Sequence, residues 1–252
     1  MSKERVTGWK RRFFLFVGIF VSTYTYADVN LLKAVSEGDI DSVKMLVKNG
    51  SDLKYIDSDG NSLLFNATIN GKTELAEWLL EHGANPNDKN KYGAPILITA
   101  AGSGYDSLVR LLLAKGADVN AKFERYDNVS ALMLAAQDGH LKTVQILLKN
   151  GANVNAETSN GDTALIAATA KAHVDIVENL IKNGADVNAR SETGYSALFV
   201  AISESNEKMV SFLLEKGADP NVPDDNGDTA LKLANRIKNP DIIDLVKNKG
   251  GR

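Results

Sequence analysis

The sequence predicts an all-α solenoid of stacked helix-turn-helix units with protruding turns. Three observations predict it: a period near 33 residues, a glycine that recurs once per period, and two apolar helical patterns between consecutive glycines. The spacing is 33 residues in every interval but one, which is 35, and the glycines are Gly50, Gly83, Gly116, Gly151, Gly184, Gly217 and Gly250. A fixed period of this length indicates one unit stacked repeatedly, not one globular core around one active site.

Each unit opens with a turn followed by a short helix. A glycine, or Asn128 in one unit, stands where the turn favours a positive φ. Two residues later a hydroxyl is expected to cap the helix in five units, at Ser62, Ser130, Thr163, Ser196 and Thr229. Pro95 stands at this position in the third unit, so that helix is expected to start slightly differently.

A second helix follows after a short break. Apolar residues about one turn apart indicate it, such as Val144 with Leu147 and Val177 with Leu180. The helix is expected to end at the periodic glycine, because a residue in the left-handed conformation stops a helix there. An Asp/Asn-rich stretch then forms a tight turn toward the next unit.

This layout resembles the ankyrin repeat family over residues 28–252. The recurring phrase Gly-Ala-Asp-Val-Asn, the turn residues and the helix pattern carry the resemblance. Seven units are predicted, near 28–57, 58–90, 91–123, 124–158, 159–190, 191–224 and 225–252. The histidine of the family's Thr-Pro-Leu-His phrase is missing in every unit. Packing is expected to replace its hydrogen bonds, through Phe65, Ile98, Met133, Ile166 and Phe199.

Residues 1–27 predict a secretory signal peptide. Lys10-Arg11-Arg12 precedes an apolar run at 13–21, and Thr25 and Ala27 occupy the small-residue places of a cleavage site. Cleavage after Ala27 would leave Asp28 as the first residue, where the first unit is expected to start its helix. An uncleaved membrane anchor or a buried helix are the alternatives, and the arginine pair also resembles a twin-arginine export signal.

Composition excludes several classes of function. The chain has no cysteine, which rules out disulfides and thiolate chemistry. The whole chain carries a net charge of −3, and residues 1–27 carry +4, so residues 28–252 carry −7. A mildly acidic domain without a basic patch is not expected to bind nucleic acid.

Neither catalysis nor metal binding is predicted. His140 and His173 occupy the same place in adjacent units, where a structural role is expected because stacked helices lie ~8–10 Å apart. The carboxylates of Asp224, Asp225 and Asp228 are expected on the solvated surface. Because no nucleotide, nucleophile-elbow or zinc-protease motif is present, the chain is not expected to be an enzyme or to carry a cofactor.

The resemblance implies that the turn tips and first helices line a concave surface that binds proteins. Aromatic tip residues are expected to be partly exposed and to anchor a partner, or else to pack on each other and stiffen the row. The interval of 35 residues places two extra residues in the tip at 123–128, which either extends the binding face or only lengthens the tip. The predicted binding residues are Tyr92, Phe123, Arg125, Tyr126, Asp127, Asp138, Lys171, Tyr195 and Glu204.

The sequence therefore predicts an exported, monomeric protein-binding module that is not inserted in a membrane once its signal is removed. A periplasmic protein that binds or modulates another envelope protein is the favoured interpretation. A secreted effector that binds host proteins is the alternative, and an enzyme is disfavoured.

Overall fold

The protein is described by a computed structural model, which covers residues 26–252 and the side chains from Val29 onward. Most of the predicted signal peptide lies outside the described residues, so the signal peptide stays a prediction. In the described part, fourteen helices follow one another in seven pairs. The first helix starts at Tyr26, two residues before the expected start at Asp28.

The helices of each pair differ in length and in place. The first helices are α1 (Tyr26–Glu37), α3 (Leu63–Ile69), α5 (Ile96–Gly102), α7 (Ala131–Gln137), α9 (Ala164–Ala170), α11 (Ala197–Ser203) and α13 (Ala230–Ile237). The second helices are α2 (Ile40–Lys48), α4 (Thr73–Glu81), α6 (Asp106–Ala114), α8 (Leu141–Lys149), α10 (Val174–Lys182), α12 (Glu207–Glu215) and α14 (Pro240–Asn248). Each helix packs on its pair partner, each first helix packs on the first helix of the next unit, and most second helices do the same, which confirms the predicted all-α solenoid.

Turn tips project between consecutive units. Most tips close with a single antiparallel bridge, such as Ile56 opposite Ser62. The lengthened tip forms a short hairpin of two strands instead, β1 (Lys122–Phe123) and β2 (Val129–Ser130). Strand structure is therefore confined to the tips of the described units.

The predicted caps explain where the first helices begin. The side chains of Ser62, Ser130, Thr163, Ser196 and Thr229 each accept a hydrogen bond from the backbone N–H three residues later. Pro95 supplies no such bond, yet α5 starts at Ile96, in the same register as the other units. The expected shift of this helix start is therefore wrong, because the φ of −65° and extended ψ of Pro95 already suit a residue that precedes a helix.

The core runs along the whole array. The alanine at the fifth place of each first helix after α1 is fully buried, as at Ala135 and Ala168, which lets neighbouring first helices pack closely. The residues that replace the family histidine, from Phe65 to Phe199, are also buried. Burial of these apolar side chains is the main stabilising contribution of each unit and of its contact with the next.

An asparagine ladder joins the turns of neighbouring units. The asparagine of each Gly-Ala-Asp-Val-Asn phrase donates through Nδ2 to the carbonyl of the next helix-ending glycine, and its Oδ1 accepts a backbone N–H two residues beyond that glycine. For Asn155 these bonds reach Gly184 at 3.0 Å and Asp186 at 2.8 Å. The five members are Asn87, Asn120, Asn155, Asn188 and Asn221.

Candidate protein-binding surface

One face of the array combines the turn tips with the exposed sides of the first helices. In each seven-residue helix the fourth and seventh places point away from the second helices. In the central units four of these six places hold half-buried apolar residues, Leu134, Ala167, Ala170 and Val200, and the other two hold Gln137 and Ser203. We call the surface between the tips and this row the groove face. Sequence reasoning missed its apolar floor, although apolar residues three apart, opposite the core leucine, were a signal for it.

Several residues of the floor have small side chains, so the backbone of the first helices lies close to the surface. Leu134 lies against Gly102 of the preceding unit, where an added Cβ would come within 3.3 Å of Leu134 Cδ1. Gly102 thus makes room for Leu134, and the short side chains of Ala167 and Ala170 let another chain come close to α9. Surfaces of this composition allow close backbone packing, because no long side chain stands in the way.

Two of the predicted tyrosines stand exposed on the tips. Tyr92 and Tyr126 each leave 37% of their surface open to solvent. The Lys91 ammonium lies 5.1 Å from the centroid of the Tyr92 ring and also pairs with Asp59 at 2.7 Å. Tyr195 differs, because it is half-buried with its ring edge-on to Phe199 at 5.8 Å.

Phe123 does not have the exposure expected of it. Its side chain is 3% exposed and lies 4.7 Å from the Tyr126 ring, centroid to centroid. In the other tips the same place holds a polar residue that caps the turn, as Asp57 does for two backbone N–H groups. In the lengthened tip the hairpin turns both Phe123 and its partner Val129 inward. Phe123 therefore supports the tip from below and offers no exposed surface to a partner.

Arg125 and Asp127 lie exposed at the end of the lengthened tip. Arg125 reaches back toward the preceding tip, with its Nη1 3.5 Å from the Lys91 carbonyl oxygen. Asp127 adopts a left-handed φ of 51°, and its carbonyl accepts a hydrogen bond from the Ser159 N–H at 2.8 Å. The lengthened tip is thus joined by its backbone to the tip that follows it.

Asp138, Lys171 and Glu204 form a second row. Each caps the C-terminal end of a first helix, at α7, α9 and α11. A seven-residue helix rises about 10 Å, so this row borders the groove face on the side opposite the tips. The structure therefore divides the predicted residues into a tip row and a helix-end row, with the apolar floor between them.

Asp162 lies beside the tip row and was not among the predicted residues. It is half-buried, and burial together with the nearby Asp127 carboxylate raises the pKa of its carboxyl group. Asp228 occupies the same place in the last unit, where Arg236 and Lys232 form ion pairs with it. Among the described residues no cation pairs with Asp162. Asp127 and Asp162 lie 35 positions apart, so the sequence alone did not indicate that they are close.

The paired histidines and Asp224 have structural contacts. His140 Nε2 lies 3.1 Å from the Gly102 carbonyl oxygen, and His173 Nε2 lies 3.2 Å from that of Gln137, so both rings tie a second helix to the preceding unit. Asp224 is only 6% exposed and accepts turn N–H groups, contrary to the expected solvated surface. The described residues contain no cluster suited to a metal ion.

In residues 26–252, no helix combines the length and the apolar character that crossing a membrane requires.

Stacked helix pairs, projecting tips and an open groove face define a solenoid repeat protein, a class that uses such extended surfaces for binding. Ankyrin repeat models match residues 31–123, 123–191 and 198–246. The chain therefore belongs to the ankyrin repeat family, whose domains bind protein partners.

Solved structures agree with this assignment. The ankyrin repeat domain of human ASB11 is similar with 29% identity and a TM-score of 0.77, over 88% of this chain and 98% of that one. The ankyrin repeat domain of Bcl-3, a member of the IkappaB family, is similar with 27% identity and a TM-score of 0.76, over 86% and 97%. No curated protein matches the sequence.

Proposed function

We propose that this protein is an exported interaction module that binds another envelope protein through its groove face. The observation that carries the proposal is the pairing of an apolar floor with two exposed tyrosines on the neighbouring tips. Tyrosines at such positions supply large contact areas at low cost in side-chain entropy. Because the ladder and the buried core hold the units in place, the surface is pre-organised and little entropy is lost on binding.

The role is one of binding and not of catalysis. Ankyrin repeat proteins are typically non-enzymatic scaffolds. The groove face presents apolar side chains, tyrosines and scattered charges, and such a surface recognises a protein by shape and contact area.

Affinity capture tests the binding surface. Residues 28–252 are compared with a Tyr92→Ala/Tyr126→Ala variant, and the affinity for the captured protein is then measured. Loss of two anchors is expected to weaken binding by ~30-fold or more. A Met45→Ala/Phe212→Ala variant is the matched control, since it removes apolar surface from second helices, away from the groove face. Equal binding by the tyrosine variant and the wild type would refute the assignment.

Fractionation tests export. The basic and apolar segment before Asp28 supports delivery to the periplasm, where the mature chain is expected to start at Asp28. Mass spectrometry of the periplasmic fraction checks that residue. Recovery only from the culture medium would favour a secreted effector, whereas an intact N-terminus in the membrane fraction would favour an uncleaved anchor.

A further inference from the structure

The acidic residue that precedes the helix cap forms ion pairs in the last unit but not in the fifth. In the last unit Asp228 receives its cations from the third and seventh places of α13, which are Lys232 and Arg236. In α9 the same places hold Ile166 and Ala170. Asp162 is therefore left without the side chains that neutralise its counterpart, and the short side chain of Ala170 stands where Arg236 stands in the last unit.

The lengthened tip places a second carboxylate beside the first. The backbone bond from Ser159 to Asp127 sets the tip of one unit against that of the next. Burial raises the pKa of the Asp162 carboxyl group, and the Asp127 carboxylate raises it further. Arg125, two residues away, extends toward Lys91 on the opposite side and does not neutralise either acid.

Two acids on other tips have cations within the chain. Lys91 pairs with Asp59 at 2.7 Å, and Arg190 pairs with Asp225 at 3.1 Å. The half-buried Asp162 thus lies near the exposed Asp127, and no ion pair with a cation of the described chain is formed by either. The two acids border the apolar part of the floor formed by Leu134, Ala167 and Ala170.

We propose that the groove face binds a protein segment that places one arginine or lysine between Asp127 and Asp162 and apolar residues on the adjoining floor. This inference rests on the proposed function, because it names the chemistry of the partner at the same surface. A guanidinium is the expected group, since it carries several donors and forms charge-assisted hydrogen bonds with carboxylates. The small side chains of Ala167 and Ala170 let the rest of the segment lie against α9.

Selection from a random peptide library displayed on phage tests this pairing, with residues 28–252 as the target. Peptides with one basic residue among apolar ones are expected to be enriched. The affinity of a selected peptide is expected to fall ~10-fold or more in D127N/D162N, because a partly desolvated charge contact is lost. It should fall similarly in A170R, which supplies Asp162 with an internal cation at the place of Arg236.

The matched control is E157Q/E192Q, which removes two exposed acids from neighbouring tips and changes the net charge by the same amount. Its affinity is expected to equal that of the wild type. If selected peptides lose affinity on the Tyr92→Ala/Tyr126→Ala variant but keep it on D127N/D162N, the groove face binds and the cation contact is rejected. If no peptide is selected by the wild type, the proposed function fails and this inference fails with it.

Discussion

Replacing Asn155, the central member of the asparagine ladder, with alanine should uncouple neighbouring units measurably. Asn155→Ala removes two inter-unit hydrogen bonds, to Gly184 at 3.0 Å and from Asp186 at 2.8 Å. Each is expected to contribute ~0.5–1.5 kcal/mol net. Asn155 is exposed, so water can replace the lost partners, and the total should be about 1–2 kcal/mol of unfolding free energy.

Urea denaturation followed by circular dichroism measures this change. Asn160→Ala is the control, because Asn160 is an exposed tip asparagine whose side chain bridges no units. The control should shift stability by less than ~0.5 kcal/mol. Hydrogen exchange at the Asp186 amide adds a local readout, since its ladder bond is the one removed.

The first unit provides the reverse experiment. Lys54 occupies the ladder place there, and no ladder bond joins it to the next unit. Lys54→Asn is expected to add the missing bonds to the turn at Gly83 and to stabilise the protein by roughly 1 kcal/mol. The ladder has no energetic role if Asn155→Ala matches the Asn160→Ala control and Lys54→Asn changes nothing.

Three further predictions follow from the structure. Phe123→Ala should destabilise the protein by ~3–5 kcal/mol in urea denaturation, whereas Tyr126→Ala should cost roughly 1 kcal/mol, and equal effects would contradict the inward orientation of Phe123. Gly116→Ala should cost ~1–2 kcal/mol for its positive φ, and Gly139→Ala should cost more, because its Cβ would also meet a histidine ring at 2.7 Å. Because the pKa of Asp162 is raised in the folded state, stability should fall as pH rises through that pKa. Asp162→Asn should remove that fall and stabilise the protein at neutral pH, and a pH series of denaturation curves that matches the wild type would refute this.

The local structure of each unit could be predicted from the sequence. The left-handed turn glycines, the hydroxyl caps and the helix ends depend on residues within a few positions of one another, and the structure places them as expected. The alanines and leucines of the first helices were likewise predictable from their spacing. The helix start after Pro95 could have been predicted too, since the φ of proline suits a residue at a helix entry.

Contacts between units were less predictable. Phe123 was expected at the surface because it lies on a turn, but the hairpin pairing with Val129 turns its side chain inward. The ladder role of Asn155 and the apolar floor also required the stacked structure. These features join residues about 30 positions apart, and their geometry depends on how one unit sits on the next.

The sequence by itself determined the repeating unit, its turns and the family, because each depends on short-range conformational preference repeated seven times. Only the tertiary structure decided which tip residues are exposed, and which acids lie together without a cation. Asp127 and Asp162 are ordinary turn residues in the linear sequence. Stacking brings them together, and Ala170 stands at the place where Arg236 supplies a cation in the last unit.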